Sequence, residues 1–176
     1  MTARHTLSLD NVRLLQQGVD LLSSIDDELY VHADARISDS CVGSHMRHCI
    51  DFYQRFLGGV YSGKVDYDKR ERDPRIESDR AHAIVEMESI ERALQAFGEG
   101  PEGMRLEVQS DAGTGDKGHW AFSSVERELQ VLASHTVHHY ALIAVILRSV
   151  GHDPGRGFGV APSTLRYWEE TGACAR

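Results

Sequence analysis

The sequence predicts an all-α protein: an up-down-up-down four-helix bundle with a short hairpin or irregular excursion before its last helix. Three observations lead there. Apolar residues recur at three- and four-residue steps along four long stretches. Glycine, proline or a capping side chain marks the ends of those stretches. One longer connection interrupts the helical pattern, as bundles of this type allow.

The first stretch runs from about Leu7 to Tyr30, with Val12, Leu15, Val19, Leu22, Ile25 and Leu29 as its apolar stripe. Asp39 or Ser40 can cap a second helix that continues to about Val60, its core face carrying Val42, Met46, Cys49, Ile50, Tyr53, Phe56 and Leu57. Gly63 stops it, and the polar segment KVDYDKRERD follows as a connection. Asp73-Pro74 reads as N-cap and first position of a third helix ending near Phe97 and closed by Gly98. Between 98 and 119 the pattern breaks. GEGPEG and DAGTGDKG are turns, RLEVQS alternates like a strand, and HWAF can pair with it. Ser123 and Glu126 have capping-box spacing at the head of a fourth helix that reaches Val150 and stops at Gly151. The tail holds one short helix, near Thr164 to Glu169.

Length and composition set the remaining bounds. At 176 residues the chain fits one domain, spanning 1–176, with 41% hydrophobic and 26% charged residues, too apolar for disorder. The longest apolar run, Tyr140 to Leu147, is far below the roughly 20 residues of a membrane span, so no transmembrane helix is expected. A net charge of -8 argues against nucleic acid as a partner. Three cysteines (Cys41, Cys49 and Cys174) with no apolar leader indicate reduced thiols and a cytoplasmic protein. Ten histidines are the unusual feature.

The fourth helix carries Ser134-His135-Thr136-Val137-His138-His139-Tyr140. At about 100° per residue, His135 and His139 lie roughly 40° apart on a side shared with Leu132, Leu142, Ile143 and Ile146. Two inward imidazoles without partners cost desolvation energy, and a divalent ion accepting both neutral rings removes that cost. The second helix offers a third ligand in GSHMRHC, where His45 and His48 share a broad face and spacing alone leaves the choice between them open. An HxxxH pair on a helix is as readily packed or surface histidine as ligand.

These two segments resemble the DinB/YfiT-like family of metal-dependent four-helix proteins. That family carries one ligand histidine in a second-helix stretch like "(S)IGxxxxHxxD" and two more in "NHxxHHRGQ". Aligned on Val42-Gly43, the first pattern puts a ligand on His48 with Asp51 following. The second puts ligands on His135 and His139, with His138 beside them. After His139 the chain reads YALI where the family commonly has RGQI, so the usual arginine is absent. The resemblance implies zinc, nickel or iron as cofactor. It also implies an enzyme of the thiol-dependent kind, since relatives include transferases and isomerases using bacillithiol or mycothiol. The segments DYDKRERD and FGVAPSTLRYWE fall outside the shared patterns.

Two classes of function follow. In the first, an open site of His48, His135 and His139 supports a metal-dependent transferase acting with a low-molecular-weight thiol, or a hydrolase. In the second, the chain is a non-catalytic metal-stabilised stress-response or binding module. No catalytic side chain is assigned. Asp51, Glu128 and His138 are candidates to support the ligands by hydrogen bonding, each against the alternative of a solvated side chain. His45 is the less favoured ligand, at about 60° from His48. The expected partner is a small-molecule substrate, with a thiol cofactor and a second copy of the chain as further candidates. Neither nucleic acid nor membrane is expected.

Overall fold

Helix α1 (Ala3–Ser24) begins at Thr2, whose side chain accepts from the His5 N–H, and stops before Ile25. Asp26 then caps a separate short helix, α2 (Asp27–Val31). The expected single helix to Tyr30 is thus two, because the Asp26 carboxylate offers Leu29 N–H a local acceptor and restarts the chain in a new direction. The computed structural model describes residues 2–33, 39–100, 103–110 and 119–172. DAGTGDKG and Cys174 lie outside them.

Helix α3 (Val42–Val60) is capped by the Sγ of Cys41 rather than by Asp39 or Ser40. A three-residue strand, β1 (Lys64–Asp66), follows where a connection was expected. The third expected helix is also divided, into α4 (Pro74–Ser78) and α5 (Arg80–Gly98). Asp79 ends the first and caps the second through His82 N–H. Strands β2 (Arg105–Gln109) and β3 (Trp120–Ser124) lead directly into α6 (Val125–Ser149). The cap of α6 is Ser124, since Ser123 still belongs to the strand and turns its Oγ to Glu128. A last helix, α7 (Pro162–Thr171), closes on the left-handed Gly172.

The all-α four-helix bundle is therefore corrected. The four long helices do pack together, α1 against α5 and α6, and α3 against the same two. They are joined by a three-stranded mixed sheet of order β1-β2-β3, and the strands expected as a hairpin are only part of it. β2 pairs antiparallel with β3, matching Arg105 to Ser124 and Gln109 to Trp120. β1 adds in parallel on the other edge, matching Val65 to Val108. Of its three residues only Val65 is buried, too short a pattern to register in the sequence as alternation. Tertiary pairing with β2 makes it a strand.

A buried polar network sets the register of the helices that matter for function. Asn11 on α1 donates to the carbonyls of Leu7 and Leu129, and its Oδ1 accepts from the Tyr53 hydroxyl of α3 at 2.7 Å. Thr136 on α6, next to His135, lies 3.1 Å from the same hydroxyl. Tyr53, Asn11 and Thr136 are all buried, so a slip of any one helix would strand polar atoms in the core. The tail packs back on α6: Phe158 stacks on Tyr140, and Gly159 (φ +73) lies against the Ala141 backbone.

Among the described residues, α6 alone is long and apolar enough to cross a membrane by length and composition; 39% of its apolar window is buried in the protein. The eight-residue apolar run undercounts it because the histidine segment interrupts the run without lowering the average enough. Its packing on α1 and α3 is that of a core helix.

Candidate metal centre

α3 and α6 face one another, and their shared register brings His48, His135 and His139 together, with one ring nitrogen from each lying within 4.8 Å of the others. His48 Nε2 is 3.2 Å from His135 Nε2, and His139 Nε2 is also 3.2 Å from His135 Nε2. Nitrogen ligands at about 2.0–2.1 Å from a tetrahedral ion stand about 3.3 Å apart, a spacing that both contacts of His135 match. All three are half-buried.

The rings are held from behind. Phe52, one turn after His48, packs on His135 at 4.1 Å and on His48 at 4.9 Å between centroids, and stacks on Tyr67 at 5.0 Å. Tyr67 donates its hydroxyl to Glu128 at 2.8 Å, and Ser123 donates to the other carboxylate oxygen. Glu128 thus supports the centre through Tyr67 and Phe52 and not by accepting from a ligand ring. Asp51 is buried too, and its carboxylate accepts from the backbone N–H of Arg72, a residue in the left-handed region at φ 54. Burial raises the Asp51 pKa against the opposing pull of Arg47, Arg70 and Arg72. Both carboxylates are engaged in holding the segment after β1 over the site.

His45 joins from outside. Its Nδ1 is 3.0 Å from His139 Nδ1, on the side of that ring away from the cluster. It therefore sits where a partner of a ligand's second nitrogen sits, the role expected of Asp51, Glu128 or His138. His138 is exposed, its ring edge-on to His139 at 5.2 Å. Cys49 is buried, and desolvation pushes its thiol far above the ordinary range; Cys41 is occupied as the α3 cap. Neither cysteine belongs to the cluster.

From the sequence, Arg70 belongs to a segment dense in hydrogen-bonding groups (Asp66-Tyr67-Asp68, Arg70 and Arg72) that could line the mouth of the site or be a solvated linker; the structure brings it to the histidines. Its Nη1 lies 2.8 Å from His48 Nδ1, and its guanidinium carbon is 5.2 Å from the Phe52 centroid. It sits in a polar segment with no periodicity to orient it, so only the fold could place it.

Desolvation, followed by neighbouring histidines and Arg70, lowers the pKa of His48 and His135 to about 4; desolvation and the surrounding histidines lower that of His139 to about 3. The rings are neutral and ready to donate lone pairs well below pH 6. A depressed pKa means that protons compete for these nitrogens only as pH falls towards 4, whereas an exposed histidine site loses affinity from about 6.5. Metal affinity is therefore expected to hold nearly level from pH 8 to about 5 and to drop below that. A titration with a chromophoric chelator would show it, and a midpoint near 6.5 would contradict it.

No family model matches the chain, and no solved structure matches it. A curated protein from Rhizopus delemar, FK506-binding protein 5, is 26% identical over 159 residues, covering 89% of this chain and 36% of that protein. The chain thus spans about a third of the length of that relative, and the ligand in its name belongs to the whole protein. The comparisons do not place the chain in the DinB/YfiT-like family. The mixed sheet and this relative both stand against reading it as a pure four-helix-bundle member of that family.

Proposed function

We propose that this protein binds one divalent metal ion through Nε2 of His48, His135 and His139 and acts as a metal-dependent transferase that uses a low-molecular-weight thiol. The observation that carries the reading is the convergence of three neutral imidazoles at ligand spacing, from two helices locked in register by Tyr53 and Thr136. An ion held by three protein ligands keeps room for another molecule and lowers the pKa of a water or thiol that enters, supplying a nucleophile near neutral pH. Zinc, nickel and iron all suit an all-nitrogen donor set.

The surrounding residues favour a thiol over a hydrolytic water. Hydrolysis commonly employs a carboxylate general base beside the ion. Here Asp51 and Glu128 are both buried, one bonded to the Arg72 N–H and the other to the Tyr67 and Ser123 hydroxyls. A thiol needs no such base once its pKa is lowered. Phe52 gives the site an apolar wall, and His45 orients His139. Among the described residues Cys41 and Cys49 form no disulfide.

The test is a cobalt(II)-substituted protein titrated with a low-molecular-weight thiol. A sulfur-to-cobalt charge-transfer band is the expected result. Cobalt binding without that band would favour the metal-stabilised binding module instead.

A further inference from the structure

We propose that Arg70 is the anion-binding residue of this site, bonded to His48 Nδ1 in this structure and turned towards the bound substrate when an ion takes His48 Nε2. The inference rests on the metal reading above and names the substrate class: a small molecule carrying an oxyanion group.

The argument begins with protons. A guanidinium has donors only, so at 2.8 Å His48 Nδ1 must be the acceptor, and the proton of neutral His48 sits on Nε2. The neighbouring contact then resolves in one direction. His48 Nε2–H donates to His135 Nε2, and because that nitrogen has one lone pair, His139 Nε2 at the same 3.2 Å makes no second full bond to it. Arg70 thus fixes the tautomer of His48.

Metal binding requires the opposite arrangement. An ion at the three Nε2 atoms forces each ring to carry its proton on Nδ1. His45 adapts, because a neutral imidazole can move its own proton to Nε2 and accept from His139. Arg70 cannot adapt: its N–H would face the Nδ1–H of His48, donor against donor. Metal ligands normally have an acceptor at that position, and this one has a cation.

Where the guanidinium goes is constrained. Its Cζ already lies near the Phe52 face, the wall that also backs His48 and His135, so a small rotation keeps it beside the ion. The Arg70 Nε is buried with no hydrogen-bond partner. A buried unpaired donor on a planar fork matches a carboxylate or phosphate bidentately, and either would satisfy it.

Cobalt(II) affinity and the visible spectrum of the cobalt-loaded full chain test this, with acetate and inorganic phosphate as separate probes. Arg70→Met removes the clash and is expected to bind cobalt about tenfold more tightly than wild type, the worth of one charge-assisted hydrogen bond. Arg70→Gln should bind at least as tightly as Arg70→Met, because its amide oxygen can accept from His48 Nδ1–H. Arg70→Lys, still a cationic donor, should resemble wild type. Acetate, phosphate or both should perturb the wild-type spectrum and leave that of Arg70→Met unchanged, and the probe that does so identifies the anion. Equal or weaker cobalt binding by Arg70→Met, or identical anion responses in the two proteins, would overturn the inference while leaving the metal site intact. Cobalt binding by none of the proteins would overturn both.

Discussion

Replacing His135 with alanine is expected to weaken metal binding by at least about a hundredfold. Zinc binding to structural sites is worth on the order of 10–16 kcal/mol over four ligands, so one ligand carries about 3 kcal/mol. His135 is the central ring, since its Nε2 is the atom approached by both His48 and His139. His45→Ala should cost only about tenfold, the range for a residue that orients a ligand. Competition against a chelator of known affinity would measure both. If His45→Ala proved the more damaging, the register of α3 at the site would have to be reassigned by one turn.

A second large effect is expected far from the chemistry, at Gly43. A Cβ there would collide with the Glu77 carbonyl of α4 and come within 2.9 Å of the Tyr30 ring. Neither obstacle yields cheaply, because one is backbone and the other a fully buried aromatic. Overpacking of this kind costs about 3 kcal/mol, and the better helix propensity of alanine returns roughly 1. Gly43→Ala is therefore expected to destabilise the fold by about 2 kcal/mol, lowering the melting temperature by about 6 °C. Thermal unfolding of the metal-free protein would check it. An unchanged melting temperature would mean that α4 does not pack on α3 as described.

How much of this was legible in the sequence depends on the range of the interaction. The histidine cluster was legible because helical periodicity is local. Spacing put His135 and His139 on one face, and an apolar stripe gave that face its inward direction. The choice between His48 and His45 needed the facing helix. Both rings turn towards α6, but only the Tyr53–Thr136 contact sets the height at which His48 meets His135. The breaks at Asp26 and Asp79 went unread because each aspartate was seen as one polar residue in a periodic run and not as a cap competing with the helix. β1 was invisible because three residues carry no pattern, and its strand character comes from β2, more than forty positions away. Arg70 was legible only as part of a polar segment that could line the site mouth. Nothing in KVDYDKRERD distinguishes one arginine from another until Asp51 and the left-handed Arg72 turn the segment over the histidines. Gly43 was visible as a residue, and the packing of α4 is the physical reason for it.

The most direct measurement of the central claim is elemental analysis of tag-free protein after exhaustive dialysis, run beside His48→Ala, His135→Ala and His139→Ala. The account predicts one divalent transition-metal ion per chain in the wild type and a substoichiometric fraction in each variant. Metal-free wild type, or equal metal in all four proteins, would contradict it.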